Sequence, residues 1–293
     1  MLRQRLTYFS KLTRLDKPTG TLLLLWPTLT ALWFAAGGHP DIKMVLTFTL
    51  GAILCRSAGC CFNDISDQNF DSKVRRTRNR PLVSGCLSRQ QATWCAIALL
   101  ILSSLTIAWL PLRVWIMAII AILLMITYPL TKRFLKVPQA YLGICFGFGI
   151  PMAYEAVQHR IPGVCMIMWL ANLLWTLSYD TIYAMVDRDD DINIGINSSA
   201  LFLGSLDLFF IKFWGILSII MWALTGYCIG TGPLFYMGLI ISAAVMIYFF
   251  AKIRNRDRSS CMYAFTQNHW IGLVIFVSTV ANFNLPNSKI ISP

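Results

Sequence analysis

The stretch from Phe213 to Ala251 carries no charged side chain over 39 residues. As a single helix it would be about 58 Å long, roughly twice the hydrocarbon thickness of a bilayer. The segment Gly230-Thr231-Gly232-Pro233 lies in its middle. Glycine commonly follows the end of a helix and proline commonly begins one. The stretch therefore predicts two membrane-spanning helices joined by a tight turn.

Seven further apolar stretches approach the length of about 17 to 25 residues that a spanning helix needs. The chain is 57% hydrophobic and 13% charged, whereas a soluble domain carries about 25% charged residues. We therefore expect an all-α, polytopic membrane protein: a nine-transmembrane-helix bundle that forms one domain over residues 1–293. The predicted spans are residues 21–38, 44–62, 91–110, 114–131, 138–155, 162–184, 209–229, 233–251 and 269–286.

The distribution of basic residues predicts the orientation of these spans. Nineteen of the 25 Lys and Arg residues fall in one set of connections, while the opposite set holds only Lys43, Arg113, Arg160 and Lys289. Basic connections usually face the cytoplasm, so the N-terminus is expected there. The net charge of +12 then reflects this loop bias and attraction to the lipid bilayer, rather than nucleic-acid binding. The basic connections are residues 1–20, 63–90, 132–137, 187–206 and 252–268.

Acidic residues are concentrated in two motifs, which hold eight of the 13 in the chain. Residues four apart share one stripe of a helix, so each motif predicts a line of carboxylates. Both motifs lie where a span emerges on the basic side. We therefore expect two helices of like direction, packed against each other, with their carboxylates in one space. The motifs are Asn63-Asp64-x-x-Asp67-x-x-x-Asp71 and Asp180-x-x-Tyr183-x-x-x-Asp187-x-Asp189-Asp190-Asp191.

Clustered carboxylates repel one another and are costly beside hydrocarbon unless a cation compensates them. Carboxylate and amide oxygens suit Mg²⁺, which takes its remaining ligands from water and phosphate. Basic side chains that could hold a diphosphate lie nearby, at Lys17, Arg80, Lys132 and Arg133. We interpret Arg75, Arg76 and Arg78 as residues that set topology. For Asp64, Asp189 and Asp190, which lie off the stripe, a structural and a functional role stay equally open.

Arg56 lies inside the second predicted span, where a charged side chain is a functional candidate by default. It precedes Asn63 by seven residues, so it shares that face about 10 Å deeper. We interpret it as a contact for an anionic acceptor, with a structural ion pair as the alternative. Tyr128, Tyr179 and Tyr183 either stabilise positive charge through their ring faces or serve as packing residues. Gly143-x-x-x-Gly147, with Gly149, either allows close helix packing or leaves room for a hydrocarbon tail.

These motifs resemble those of the UbiA family of intramembrane aromatic prenyltransferases, and the resemblance runs from about Leu12 to Leu273. Further segments are typical of the branch that prenylates 4-hydroxybenzoate in ubiquinone biosynthesis. The segments that carry the resemblance, besides the two acidic motifs, are Asp16-Lys17-Pro18-x-Gly20, Arg78-x-Arg80-Pro81-Leu82-x-Ser84-Gly85 and Ile194-Gly195-Ile196-x-Ser198.

The resemblance implies Mg²⁺-dependent transfer of a polyprenyl group from polyprenyl diphosphate to 4-hydroxybenzoate, at the ring carbon ortho to the hydroxyl. It implies a bacterial inner membrane and an active site that faces the cytoplasm. It assigns the metal to Asn63, Asp67, Asp187 and Asp191, and the acceptor carboxylate to Arg56. It assigns the diphosphate to Asp71, Lys132 and Arg133. The remaining expected substrate-binding residues are Lys17, Arg80, Asp180 and Tyr183, and the expected catalytic residues are Asp67, Asp71, Asp187 and Asp191.

Two alternatives stay open on the sequence. One is a sibling enzyme with another acceptor, such as homogentisate, a naphthoate or haem, although the N-terminal segment around Lys17 favours 4-hydroxybenzoate. The other is a divalent-cation transporter. A transporter is expected to place polar ligands near the middle of its spans, where Arg56 is the main charge in this chain.

Overall fold

The structure is a computed structural model that describes residues 2–284. All regular secondary structure in those residues is helical, so the all-α prediction is confirmed. Lys289 and the last two residues of the ninth predicted span lie outside the described residues. The helices are α1 Leu2–Thr13, α2 Thr19–Ala35, α3 Ile42–Asp71, α4 Arg89–Thr106, α5 Leu112–Thr131, α6 Pro138–Gly147, α7 Gly149–Gln158, α8 Gly163–Ile194, α9 Ser199–Leu203, α10 Asp207–Ile229, α11 Pro233–Lys252, α12 Arg258–Gln267 and α13 His269–Phe283, with a 3₁₀ turn at Gly204–Leu206.

Each predicted span overlaps one helix, except residues 138–155, which the break at Phe148 divides between α6 and α7. A second break, at Asn268, separates α12 from α13 and coincides with the predicted start of the ninth span. Five helical stretches of the described chain are long and apolar enough to cross a membrane, and α2 is a shorter apolar helix. A multi-pass membrane bundle is therefore supported, while the count of nine spans stays a prediction. The five stretches are Ile42–Asp71, Leu112–Thr131, Pro138–Gln158, Ser199–Ile229 and Pro233–Lys252.

Helices α3 and α8 continue beyond the predicted ends of their spans. They run to Asp71 and Ile194 rather than to residues 62 and 184, so both acidic motifs are helical and keep the expected stripe. Helix α8 ends at Gly195, whose positive φ of 69° is a backbone conformation that glycine adopts without strain. The Gly195 amide donates to the carbonyl of Asp191, and this cap fixes the last turn of the second motif.

The expectation that these two helices pack against each other is wrong. Helix α3 packs mainly on α4 and α2, whereas α8 packs mainly on α10, α6 and α12. A cavity lies between α3 and α8 instead. Direct packing would press two rows of carboxylates together, at a high electrostatic cost. The separation leaves room for groups that compensate those charges.

Glycines let the broken helix formed by α6 and α7 approach its neighbours closely. A Cβ atom at Gly147 would overlap the side chain of Trp169 on α8, and one at Gly149 would overlap Thr28 on α2. Of the two interpretations of this glycine pattern, close helix packing is the one the structure supports. The contacts hold α6, which lines the cavity, against α8.

A buried ionic cluster fastens the ends of the helices near the cavity. Asp207, at the start of α10, is 0% exposed. It accepts hydrogen bonds from Arg188 on α8 at 2.5 Å and from Arg256, just before α12, at 2.7 Å. Arg188 also donates to the carbonyl of Ala200. One carboxylate thus joins three segments that are far apart in sequence.

We expect Asp207→Asn to lower the free energy of unfolding by about 2 kcal/mol, because two guanidinium groups would lose their shared anion. We expect a smaller loss of stability than for a fully buried ion pair, because both arginine side chains reach solvent. Thermal unfolding of the purified protein in detergent measures it. Asp189→Asn, at an exposed position on α8 next to Arg188, serves as the matched control and should leave unfolding unchanged. Equal unfolding midpoints for the two variants would contradict the prediction.

Candidate active site

A cavity of about 780 Å³ lies between the two acidic helices. Its walls come mainly from α2, α3, α5, α6, α8 and α12, from the segment between α1 and α2, and from the loop after α3. Of the residues that the sequence nominated, all but one line this cavity. Those that line it are Lys17, Arg56, Asn63, Asp67, Asp71, Arg80, Lys132, Asp180, Tyr183, Asp187 and Asp191.

Arg133 is the nominated residue that the structure does not bring to the cavity. Its side chain is exposed, donates to the carbonyl of Ser66 at 3.3 Å and lies 5.5 Å from the ring centre of Phe70. Lys132, its neighbour, does enter the cavity and donates to Asp67 at 3.0 Å. The turn after α5 thus sends two consecutive basic side chains in different directions.

The remaining carboxylates of the first motif are paired with arginines. Arg80 donates to both Asp64 and Asp71, at 2.9 and 2.5 Å. One terminal nitrogen of Arg14 also contacts both carboxylate oxygens of Asp64, at 2.7 and 2.9 Å. Asp64 is 1% exposed. It therefore has a structural role, because it ties the loop after α3 and the end of α1 to one buried anion.

The second motif is less completely compensated. Asp187 is paired with Arg76 at 2.5 Å, and Asp190 is paired with Arg258 at 3.0 Å, on the side away from the cavity lining. Asp180 and Asp191 have neither a salt bridge nor a side-chain hydrogen bond within residues 2–284. Burial, reinforced by the Asp187 carboxylate, raises the pKa of Asp191 to about 7. The α8 wall therefore carries two carboxyl groups, Asp180 and Asp191, to which the described part of the protein supplies no basic partner.

Oxygen donors of the kind that Mg²⁺ prefers face the cavity from both motifs. Within residues 2–284, however, no three carboxylate, histidine or cysteine side chains converge closely enough to form a metal site by themselves. The donor chemistry therefore fits a hard cation, whereas the coordination shell is incomplete. Such a cation would need further ligands from water or from a bound anion.

Arg56 lies in the wall of the cavity, deeper than the acidic motifs. Its Nε atom is buried and has no hydrogen-bond partner within residues 2–284, and its guanidinium lies 5.4 Å from the ring centre of Phe146. A Cβ atom at Gly20 would lie 2.7 Å from an Arg56 nitrogen, so a larger residue at that position would displace the guanidinium group. The structure gives Arg56 no carboxylate partner, which removes the structural ion pair as an explanation among the described residues.

Aromatic side chains form the wall beside the second motif. Tyr183 stacks on Phe265 with 4.2 Å between ring centres, and Arg76 lies 4.7 Å from the centre of the Tyr183 ring. Phe265 comes from α12, immediately before the break at Asn268. The side chain of Asn268 accepts a hydrogen bond from Trp175 at 3.2 Å. That bond links the break in the last span to α8.

Two cavity residues, Arg14 and Arg76, were absent from the sequence-based site. Arg14 contacts a carboxylate 50 residues away, and Arg76 contacts one 111 residues away. No local spacing connects either pair. We had interpreted Arg76 as a residue that sets topology, and its contact with Asp187 makes it part of the cavity as well. Arg76 lies among several basic residues of one long loop, and the sequence contains nothing that distinguishes it from Arg75.

The fold and the cavity together define a class: a membrane-embedded helical protein with an ionic chamber whose deeper walls are apolar. Comparison with known sequences specifies the class further. The chain belongs to the UbiA prenyltransferase family, whose profile matches residues 24–274. It is 48% identical to a 4-hydroxybenzoate octaprenyltransferase of Methylobacillus flagellatus over 281 residues, which are 96% of this chain and 95% of that protein.

Solved structures agree on the fold. A UbiA homologue from Aeropyrum pernix K1, solved without ligand, superposes with a TM-score of 0.78 at 22% identity, covering 88% of this chain and 97% of that one. A homologue from Archaeoglobus fulgidus, solved with GPP and Mg²⁺, gives a TM-score of 0.68 at 16% identity over 95% of this chain and 100% of that one. At these identities the likeness concerns the arrangement of helices.

The ion pair between Arg76 and Asp187 should contribute a measurable coupling to stability. We expect a double-mutant cycle of Arg76→Ala and Asp187→Ala to give a coupling energy of about 0.5–1 kcal/mol, the range for a pair that solvent reaches. Equilibrium unfolding in metal-free detergent measures it. The matched cycle replaces Arg76→Ala with Arg75→Ala and should be additive. Additivity in both cycles would contradict the ion pair.

Proposed function

We propose that this chain is a 4-hydroxybenzoate polyprenyltransferase. It transfers a polyprenyl group from polyprenyl diphosphate to the ring carbon ortho to the hydroxyl of 4-hydroxybenzoate, as a step of ubiquinone biosynthesis. The observation that carries the proposal is the single cavity in which both acidic motifs, basic side chains and an apolar interior meet. The similarity to 4-hydroxybenzoate octaprenyltransferases supports the choice of acceptor.

The charge balance of the cavity favours a divalent cation on the α8 side. Asp180, Asp187 and Asp191 line that wall, and Arg76 is paired with Asp187, which leaves two carboxyl groups without a basic partner within residues 2–284. We propose that Asp187 and Asp191, with Asn63 and Asp67 from α3, hold Mg²⁺ together with the diphosphate. Bound there, Mg²⁺ would stabilise the charge that develops on the departing diphosphate. The Archaeoglobus fulgidus homologue solved with GPP and Mg²⁺ supports this choice of metal.

Basic residues around the cavity mouth would bind the diphosphate oxygens. Lys132, Arg80 and Arg76 each contact a carboxylate of one of the two motifs, and Lys17 lines the same space. Arginine suits bidentate contact with phosphate, whereas lysine supplies a compact charge. When the diphosphate binds with its cation, Lys132 and Arg76 would exchange their carboxylate partners for phosphate oxygens. Asp71 would act through Arg80 and keep it oriented.

Arg56 is positioned to bind the carboxylate of 4-hydroxybenzoate. It precedes Asn63 by two helical turns, about 10 Å along α3, and its buried Nε lacks a partner within residues 2–284. An aromatic acid held there would have its ring between Arg56 and the diphosphate site. The acceptor would then face the reactive carbon of the prenyl group from the interior of the bundle.

The aromatic wall would stabilise the carbocation that forms from the prenyl substrate. Departure of the diphosphate leaves an allylic cation, which water would quench. Tyr183 and Phe265 present stacked ring faces beside the carboxylates, and ring faces stabilise positive charge. The phenol ring then attacks through its ortho carbon and loses a proton. A covalent bond between enzyme and substrate is not needed in this sequence of steps.

The distribution of basic residues supports a placement in the bacterial inner membrane. We propose that the chain forms one multi-pass domain over residues 1–293, with nine spans, a cytoplasmic N-terminus and a cavity that opens toward the cytoplasm. Lys132 and Arg80 lie at the cavity, within the connections that carry most of the positive charge. Soluble 4-hydroxybenzoate would then enter from the cytoplasm, while the polyprenyl tail stays in lipid.

An acceptor panel tests the proposed function. Membranes that contain this chain, supplied with radiolabelled polyprenyl diphosphate and Mg²⁺, should label 4-hydroxybenzoate in preference to homogentisate or a naphthoate. Chelation of divalent cations should abolish labelling, because the leaving group would lose its counter-charge. Preferential labelling of another acceptor would assign the chain to a sibling activity, and transfer that survives chelation would contradict the metal assignment.

Variants of the acidic motifs provide the control for this assay. Asp67→Ala and Asp191→Ala should lower turnover by about 100-fold or more, as expected for lost transition-state stabilisation. Asp189→Ala, which removes an exposed carboxylate of the second motif, should retain activity. Immunoblots should show equal amounts of all three variants in the membrane. Normal turnover in Asp191→Ala would remove this residue from the site.

Substitutions of Arg56 and Lys132 should change the KM values of different substrates. We expect Arg56→Ala to raise the KM for 4-hydroxybenzoate by about 10- to 100-fold, the effect of losing a hydrogen bond to a charged group. Lys132→Ala should instead raise the KM for the polyprenyl diphosphate. Initial rates with each substrate varied in turn measure both constants. If Arg56→Ala changed the KM for the polyprenyl diphosphate more than the KM for 4-hydroxybenzoate, the proposed contact between Arg56 and the acceptor carboxylate would be contradicted.

A further inference from the structure

A second cavity, of about 500 Å³, lies at the other end of the bundle. Arg113 at the start of α5 lines this second cavity, and Lys132 at the end of the same helix lines the first. Nineteen residues of helix place the two side chains about 28 Å apart, close to the thickness of the hydrocarbon core. The second cavity therefore lies at the level of the lipid headgroups in the opposite leaflet.

The polar lining of the second cavity contains both signs of charge. Glu155, on α7, is 3% exposed, and a carboxylate this buried is usually held by a close basic partner. Its nearest basic group is Arg113, at 3.7 Å, and the Arg113 side chain is itself 74% exposed. Residues 2–284 donate no side-chain hydrogen bond to the Glu155 carboxylate. Arg160 and His159 complete the polar part of the lining.

The apolar lining leads onto the lipid-facing surface of α5. Ile116 lines the second cavity and begins a row of exposed apolar side chains, which continues through Ile119, Ile120 and Leu123. Residues at this spacing lie on one face of a helix. An acyl chain that ran along this row would connect directly to a headgroup in the cavity.

We propose that the second cavity binds the headgroup of a phospholipid with a primary amine, of the phosphoethanolamine type, from the leaflet opposite the active site. Arg113 and Arg160 would contact the phosphodiester, because guanidinium groups match phosphate oxygens. The ammonium group would donate hydrogen bonds to Glu155, which compensates the buried carboxylate. A quaternary ammonium has no N–H to donate, and a glycerol headgroup has no cation to pair with Glu155, so the lining favours the primary amine over both.

Competition among lipids tests this site on the purified full-length chain. Native mass spectrometry from detergent, with an equimolar mixture of ethanolamine, choline and glycerol phospholipids of the same acyl chains, reports which lipid is retained. We expect the ethanolamine lipid to be retained about tenfold better than the choline lipid, as for one added hydrogen bond between charged groups. Addition of inorganic phosphate should not displace it, because the acyl chains contribute to binding.

Variants distinguish the two halves of the headgroup. Glu155→Gln should abolish the preference for the ethanolamine lipid, whereas Arg113→Gln should lower retention of all three lipids. Lys43→Gln, which removes a positive charge from the same end of the bundle outside the second cavity, is the control and should match the unmodified chain. Equal retention of the ethanolamine and choline lipids by the unmodified chain would overturn the proposal even if a variant failed to fold. A preference that persisted in Glu155→Gln would also overturn it.

Discussion

Electrostatic compensation in a poorly solvated interior is the constraint on which this structure depends. Carboxylates beside hydrocarbon are costly unless a cation is close. On the α3 side the protein supplies those cations itself, through Arg14, Arg80 and Lys132. On the α8 side Asp180 and Asp191 have no such partner within residues 2–284. The two walls of the cavity thus differ, because basic side chains compensate the carboxylates of α3 and leave two carboxyl groups of α8 without a partner among the described residues.

Much of the bundle could be predicted because lipid imposes simple rules on sequence. A span must be long, apolar and helical, so the boundary at Gly230 and Pro233 could be read directly. Carboxylates four residues apart define a stripe in any helix, which is why Asp67, Asp71 and Asp187 were nominated without knowledge of the neighbouring helices. The lengths of α3 and α8 were underestimated, because hydropathy reports where lipid ends and not where a helix ends.

Contacts between distant segments could not be predicted in this way. The partners of Arg14 and Arg76 lie on other helices, and their choice depends on how the loops fold over the cavity. The break at Phe148 is equally hidden, because Phe148 itself is neither proline nor glycine. The break at Asn268, by contrast, coincides with the predicted start of the ninth span at residue 269. Tertiary hydrogen bonds, such as that from Trp175 to Asn268, compensate the interruption there. The distance between α3 and α8 could not be predicted either, because a stripe of carboxylates shows which face of a helix they occupy and not how far away the next helix lies.

Helix α5 connects the two ionic ends of the molecule. Lys132 is held at Asp67, and Arg113 lies about one bilayer thickness away. The apolar segment between them presents several exposed side chains, among them Ile119 and Leu123, so lipid contacts contribute little to fixing its height. Its position along the membrane normal is therefore set mainly by its charged ends. Contacts of Arg113 at the far interface would thus help to keep Lys132 at the depth where it meets the carboxylates of α3.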